Sequence, residues 1–168
     1  MSKLTSSLVA LYSYDDAGLR TSKAFTGKFK TTYTWDNGRL TTQRSPSGQL
    51  CFSYDASGNL VAVYHGATMY YYMRNAQNDI TGLVDSNGNV VVRYTYDSWG
   101  NPLGIHGANG ADLSGDPNHI ANVNPFRYRG YYYDAETGFY YVTSRYYDPE
   151  IGRWINADDT DVLAVEQG

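Results

Sequence analysis

Cysteine is all but missing. The 168 residues hold one, Cys51, so no disulfide can close within the chain and stability must come from packing. Its setting, Leu50-Cys51-Phe52, is that of core filler rather than of a nucleophile. Basic residues are also few, 13 Lys plus Arg against 17 Asp plus Glu for a net charge of −4, and they stand singly. That excludes a basic stripe able to neutralise phosphates, and with it nucleic acid as a partner. Long apolar runs are absent too. The longest near the start, Leu8-Val9-Ala10-Leu11, is shorter than a signal-peptide core, and the reading is no membrane span and no export signal in this chain. Histidines number three; His106 and His119 have no cysteine partner and no short ligand spacing, so neither a metal nor another cofactor is expected.

What the chain has instead is 18 tyrosines and 17 glycines, a balance that favours strands joined by tight turns over helices. One phrase recurs: an aromatic, an aspartate, one to three small or polar residues, a glycine, then a return to apolar residues. Its copies start at Tyr14-Asp15, Trp35-Asp36, Tyr54-Asp55, Tyr96-Asp97, Tyr133-Asp134 and Tyr147-Asp148, closing at Gly18, Gly38, Gly58, Gly100, Gly138 and Gly152. Asp85 to Gly88 is a further copy without the aromatic. In a hairpin the aspartate oxygen accepts from the backbone N–H two residues on, and the glycine supplies the left-handed turn position. These fourteen Asp and Gly positions are therefore expected to be structural turns. The first three aspartates lie 21 and 19 residues apart, the length of two strands and two turns, so one repeat is one hairpin. Alternating stretches such as Leu60 to Tyr64 and Val90 to Tyr94 fit half-buried strands. The expectation is an all-β chain of antiparallel hairpins forming a curled ribbon or a segment of a β-shell. Its open edges would invite strand-edge self-association. Residues 100–124, with five glycines and two prolines, are expected to form a long glycine-rich loop.

Spacing turns irregular after Asp55. The phrases Asn124-Pro125-Phe126-Arg127-Tyr128-Arg129-Gly130, Tyr133-Asp134-Ala135-Glu136-Thr137-Gly138-Phe139-Tyr140-Tyr141 and Arg145-Tyr146-Tyr147-Asp148-Pro149-Glu150-Ile151-Gly152-Arg153-Trp154 resemble, in order, the RHS repeat-associated core that follows YD repeats in bacterial Rhs, wall-associated and toxin-complex C proteins. The resemblance implies YD hairpins over residues 1–64, a core over 65–159 and a tail over 160–168. It also implies a structural role in a larger secreted or cell-surface protein, with the core closing one end of a hollow shell around a polypeptide cargo or C-terminal toxin domain.

Two other functions are open at this stage. Some members of that family cleave themselves after the core with paired aspartates, which directs attention to Arg145, Asp148, Asp158, Asp159 and Asp161. Such chemistry needs two carboxylates sharing one proton. Here Asp148 is followed by Pro149-Glu150-Ile151-Gly152 rather than the Pro-x-Gly-Leu of self-cleaving members, and a turn role is the simpler expectation. The third function is a surface glycan-binding module, since Trp35, Trp99 and Trp154 could stack on sugar rings. Packing across a hairpin explains the same residues.

Overall fold

Antiparallel strands dominate the computed structural model, which describes residues 7–8, 10–25, 30–156 and 165–166. After β1 (Ser7–Leu8) come ten strands: β2 (Ala10–Tyr14), β3 (Arg20–Phe25), β4 (Thr31–Asp36), β5 (Arg39–Ser45), β6 (Gly48–Tyr54), β7 (Leu60–His65), β8 (Thr68–Arg74), β9 (Ile80–Asp85), β10 (Val90–Tyr96) and β11 (Pro102–His106). Each pairs antiparallel with its sequence neighbour, giving one ten-stranded meander with β2 and β11 at its edges. A single helical turn, α1 (Ile120–Val123), and a tight turn at Tyr128–Gly130 lead to a four-stranded sheet: β12 (Tyr132–Asp134), β13 (Phe139–Val142), β14 (Arg145–Asp148) and β15 (Arg153–Asn156). Within the segment expected as a tail, β16 (Val165–Glu166) pairs antiparallel with β1.

The turn chemistry is explicit at four phrases. Asp15, Asp55, Asp85 and Asp97 each use Oδ1 to accept two backbone N–H groups, from residues two and four positions on, at 2.8–3.0 Å. A fifth turn of the same build begins at Asn75, whose Oδ1 accepts from Gln77 and Asp79, with left-handed Asn78 in the glycine position. At Trp35-Asp36 the device differs. Asn37 and Gly38 both have positive φ, a two-residue hairpin turn, while Asp36 ends β4 opposite Arg39.

Three of the phrase aromatics do more than end a strand. Trp35 Nε1 donates to the Arg20 carbonyl, the Tyr54 hydroxyl to that of Leu40 and the Tyr96 hydroxyl to that of Ile80, at 2.7–2.8 Å; Arg74 reaches the Leu60 carbonyl likewise. The accepting residue is the first or second of the strand after the preceding turn, so these bonds tie successive hairpins together. The same four positions point to the interior: Leu40, Ile80 and Arg20 are buried and Leu60 half-buried.

One face of the meander, with Leu40, Leu50, Phe52, Val63, Leu83, Val92 and Tyr94, is covered by α1, Phe126 and the small sheet's Tyr132, Tyr141 and Tyr146. The small sheet's other face, Tyr140 and Tyr147, packs on Tyr128. Buried Asn124 fastens the cover, accepting from the Tyr72 hydroxyl at 2.6 Å and donating to the Phe126 carbonyl at 2.9 Å. Arg127 donates to the carbonyls of Asn124 and Ala121, both at 3.0 Å.

The expected loop over 100–124 differs from the observed segment in two places. It begins with β11 and ends with α1. Pro102 sits at the end of the edge strand, opposite Tyr96 at a register shift, where its missing N–H is tolerated. His119 caps α1, its Nδ1 accepting the Ala121 N–H at 3.0 Å.

Gly88 and Gly100 hold the same turn position with φ of 83° and 96°, but a Cβ at Gly88 would meet nothing within 4 Å whereas one at Gly100 would lie 2.4 Å from the Tyr128 ring. Gly88→Ala should therefore cost only the left-handed strain of about 1–2 kcal/mol. Gly100→Ala should cost clearly more, seen as a lower urea midpoint; equal midpoints would show that the Tyr128 ring gives way freely.

Candidate functional site

The seam between the two sheets is built around a buried charge. Arg20 occupies the interior column filled by Leu40, Leu60 and Ile80 in later hairpins, and its side chain is 1% exposed. A guanidinium there needs a partner, and it finds Asp134 at the end of β12. The two form a two-toothed pair: Nη1 donates to Oδ2 at 2.7 Å and Nη2 to Oδ1 at 2.8 Å. Lys23 Nζ adds a bond to Asp134 Oδ1 at 3.0 Å and another to Glu136 Oε2 at 3.1 Å.

Aromatic rings enclose the cation. The guanidinium carbon lies 4.5 Å from the Tyr141 ring centre and 5.1 Å from those of Tyr12, Tyr33 and Tyr132. Tyr141 also accepts the Arg20 backbone N–H at 2.9 Å. Burial opposes charge on Asp134, but Arg20 and then Lys23 hold its pKa below the ordinary carboxylate value. Burial likewise opposes charge on Arg20 and Lys23, yet the Asp134 carboxylate keeps both well above their ordinary values. All three groups therefore stay charged at neutral pH. A proton-sharing aspartic pair needs the opposite, one carboxyl raised.

The turn phrase makes Asp134 a turn aspartate, and the structure gives its side chain a second role. Its backbone carbonyl does close the turn, accepting from Thr137 and Gly138, but its side chain is committed to the seam. The charge partner lies 114 residues away, beyond the reach of any local motif.

Arg145 and Asp148 do not form a site together. They stand three residues apart on β14, so they face opposite sides of the sheet. Arg145 lies over the Trp154 ring at 4.7 Å, and Asp148 Oδ1 accepts the Glu150 N–H at 2.9 Å, a turn bond. Asp158, Asp159 and Asp161 lie outside the described residues. Among the described residues no cluster of three His, Cys, Asp or Glu could hold a metal, and no helix is long and apolar enough to cross a membrane. Trp35 packs on Tyr141, whereas Trp99 and Trp154 are 62% and 44% exposed.

Two measurements check the seam. Asp134→Asn leaves two buried cations underpaired and should cost about 3–5 kcal/mol. Arg20→Met combined with Asp134→Asn should cost well below the sum of the single changes, a coupling that a double-mutant cycle in urea reads directly. The tyrosines impose an alkaline limit. Burial raises the hydroxyl pKa of Tyr12, Tyr96, Tyr140 and Tyr146, and pushes Tyr54 up to about 12. A raised folded pKa means that the folded state keeps protons the unfolded chain has lost. This stabilisation is complete below about pH 10 and disappears as pH climbs towards the folded values, by roughly 1.4 kcal/mol per pH unit for each such tyrosine. Urea midpoints should fall steeply above about pH 10; constant midpoints to about pH 12 would contradict the buried hydroxyls.

Comparison with known proteins agrees with this geometry. The family model described as the teneurin YD-shell matches residues 49–166. The tRNA nuclease WapA of Bacillus subtilis is 35% identical over 153 residues, 89% of this chain, and the chain spans only 6% of that protein's length. The double-stranded DNA deaminase toxin A of Burkholderia cenocepacia is 53% identical over 34 residues, 20% of this chain and 2% of that protein. The crystal structure of TcdB2-TccC3-TEV superposes with a TM-score of 0.62 at 21% identity, over 89% of this chain and 8% of that one. Successive tyrosine-tied hairpins, a covering sheet held by buried polar bonds and a family match over most of the chain lead to one conclusion: this chain belongs to the teneurin YD-shell family.

Proposed function

We propose that the chain is a wall-and-cap segment of a shell that encloses a downstream polypeptide, a toxin domain in the parent protein, and that it works outside the cell or at its surface. The observation that supports this most is the Arg20–Asp134 pair. It joins the first complete hairpin of the wall to the covering sheet through a buried charge network, which suits a closure meant to hold rather than a surface meant to turn over substrate. The relatives add to it. One is named a tRNA nuclease and another a DNA deaminase toxin. Proteins with unlike activities share parts of this segment, as expected if it houses the active part rather than being it. Reaction chemistry by the segment itself is no part of this reading: Asp134 and Glu136 are committed to the seam and Asp148 to a turn.

The reading is tested in the full-length protein carrying this segment with its native flanks. The downstream polypeptide should resist added trypsin, and Asp134→Asn should expose it to cleavage while the wall still shows its strand-rich circular dichroism. Equal and rapid cleavage with and without the substitution would overturn the enclosure.

A further inference from the structure

Among the cavities of the described residues, one at the covering sheet is not used by the shell role. It is a slot of about 260 Å³ on the outer side of β14 and β15, walled by Trp99 and Trp154, with Tyr131 and Tyr147 behind them and Arg129 at one end. Its walls are fixed. Trp154 packs on Tyr147 at 5.2 Å and on Tyr131 at 6.0 Å between ring centres. The Tyr147 hydroxyl donates to the Trp99 carbonyl at 2.7 Å. Trp99 lies so close over Gly152 that a Cβ there would sit 3.1 Å from the indole. Both tryptophans nevertheless keep large exposed areas, Trp154 with Arg145 over its ring, and adjoining exposed rings of this size mark binding surfaces.

Arg129 gives the slot its polarity. Its backbone is left-handed, φ 53°, and is held there by the bond from its N–H to Asp79 Oδ1 at 2.9 Å. Its Nε donates to the Tyr128 hydroxyl at 3.2 Å. Among the described residues no hydrogen bond or ion pair engages its two terminal nitrogens, and the side chain is exposed. Two carboxylates line the adjoining cavity with it and already have donors: Asp79 accepts the Arg129 N–H and the Asn75 side-chain amide, and Asp97 accepts the turn N–H groups of Trp99 and Asn101. A guanidinium fork with free donors is suited to a carboxylate, and the slot's volume admits about one aromatic ring, less than the pockets that hold drug-sized ligands.

We propose that this slot binds an aromatic ring bearing a nearby carboxylate, the ring entering between Trp99 and Trp154 and the carboxylate pairing with Arg129. The same chemistry is offered by a free aromatic acid and by the C-terminal aromatic residue of a polypeptide. Recognition by ring stacking plus one charged fork requires both halves at once, so loss of the carboxylate should be felt as strongly as loss of an indole wall.

The test uses the three indole N–H resonances of the full chain in a nitrogen–proton correlation spectrum. Trp35, whose Nε1 is committed to the Arg20 carbonyl, serves as the internal control. N-acetyl-L-phenylalanine at millimolar concentration should shift the Trp99 and Trp154 signals saturably and leave Trp35 in place. Its amide should bind about tenfold or more weakly. Arg129→Gln should reduce the acid to the level of the amide, and Trp99→Ala should weaken both. A short peptide ending in phenylalanine that binds more tightly than the acetylated residue assigns the slot to polypeptide C-termini; equal affinity assigns it to the free acid. No saturable shift, equal binding of acid and amide, or displacement of all three indoles together would overturn the proposal.

Discussion

A single buried arginine sets the terms for the rest of the molecule. Arg20 stands where the hairpin register demands an interior side chain, in the column that later holds Leu40, Leu60 and Ile80. An unpaired charge there would cost more than the fold could recover. The fork to Asp134 makes the position tolerable only if β12 is docked, so wall and cap are conditional on each other. The tyrosine rings around the guanidinium follow from the same need: they exclude water, offer their faces to the cation and present hydroxyls, of Tyr33 and Tyr146, as further acceptors.

Tyrosine's abundance has the same logic on a larger scale. A sheet buried on one face needs large apolar area, but carbonyls at the hairpin junctions need donors as well. Tyr54 and Tyr96 supply both to the preceding hairpin, Tyr94 does so to the Ala121 carbonyl in α1, and Tyr140 and Tyr147 do so from the small sheet to the carbonyls of Gly100 and Trp99 in the turn after β10. Phenylalanine would fill the same space and make none of these bonds.

Much of this was legible in the order of residues. The Asp-x-x-Gly turns at Asp15, Asp55, Asp85 and Asp97 are local events, and local chemistry announces them. The turn at Asn75 was not read because asparagine stands for both aspartate and glycine, and β11 was hidden because Pro102 and Gly104 interrupt its alternation. Asp134 is the instructive case. Its phrase matches the others, yet its side chain answers a charge far away in the chain, and nothing within the phrase records that. The other half of the pair could have been found. Aligning the first three phrases on Gly18, Gly38 and Gly58 puts Arg20 beside Leu40 and Leu60, and a cation in an aliphatic column asks for a buried anion.

The interdependence of wall and cap is open to native-state hydrogen exchange. If the seam makes them one unit, amides of β3 and of β13 and β14 should open with the same free energy, and Arg20→Met should lower both together. Exchange of β12 to β15 at a markedly lower free energy than β3 in the unsubstituted protein, or a loss confined to one sheet after the substitution, would contradict that account.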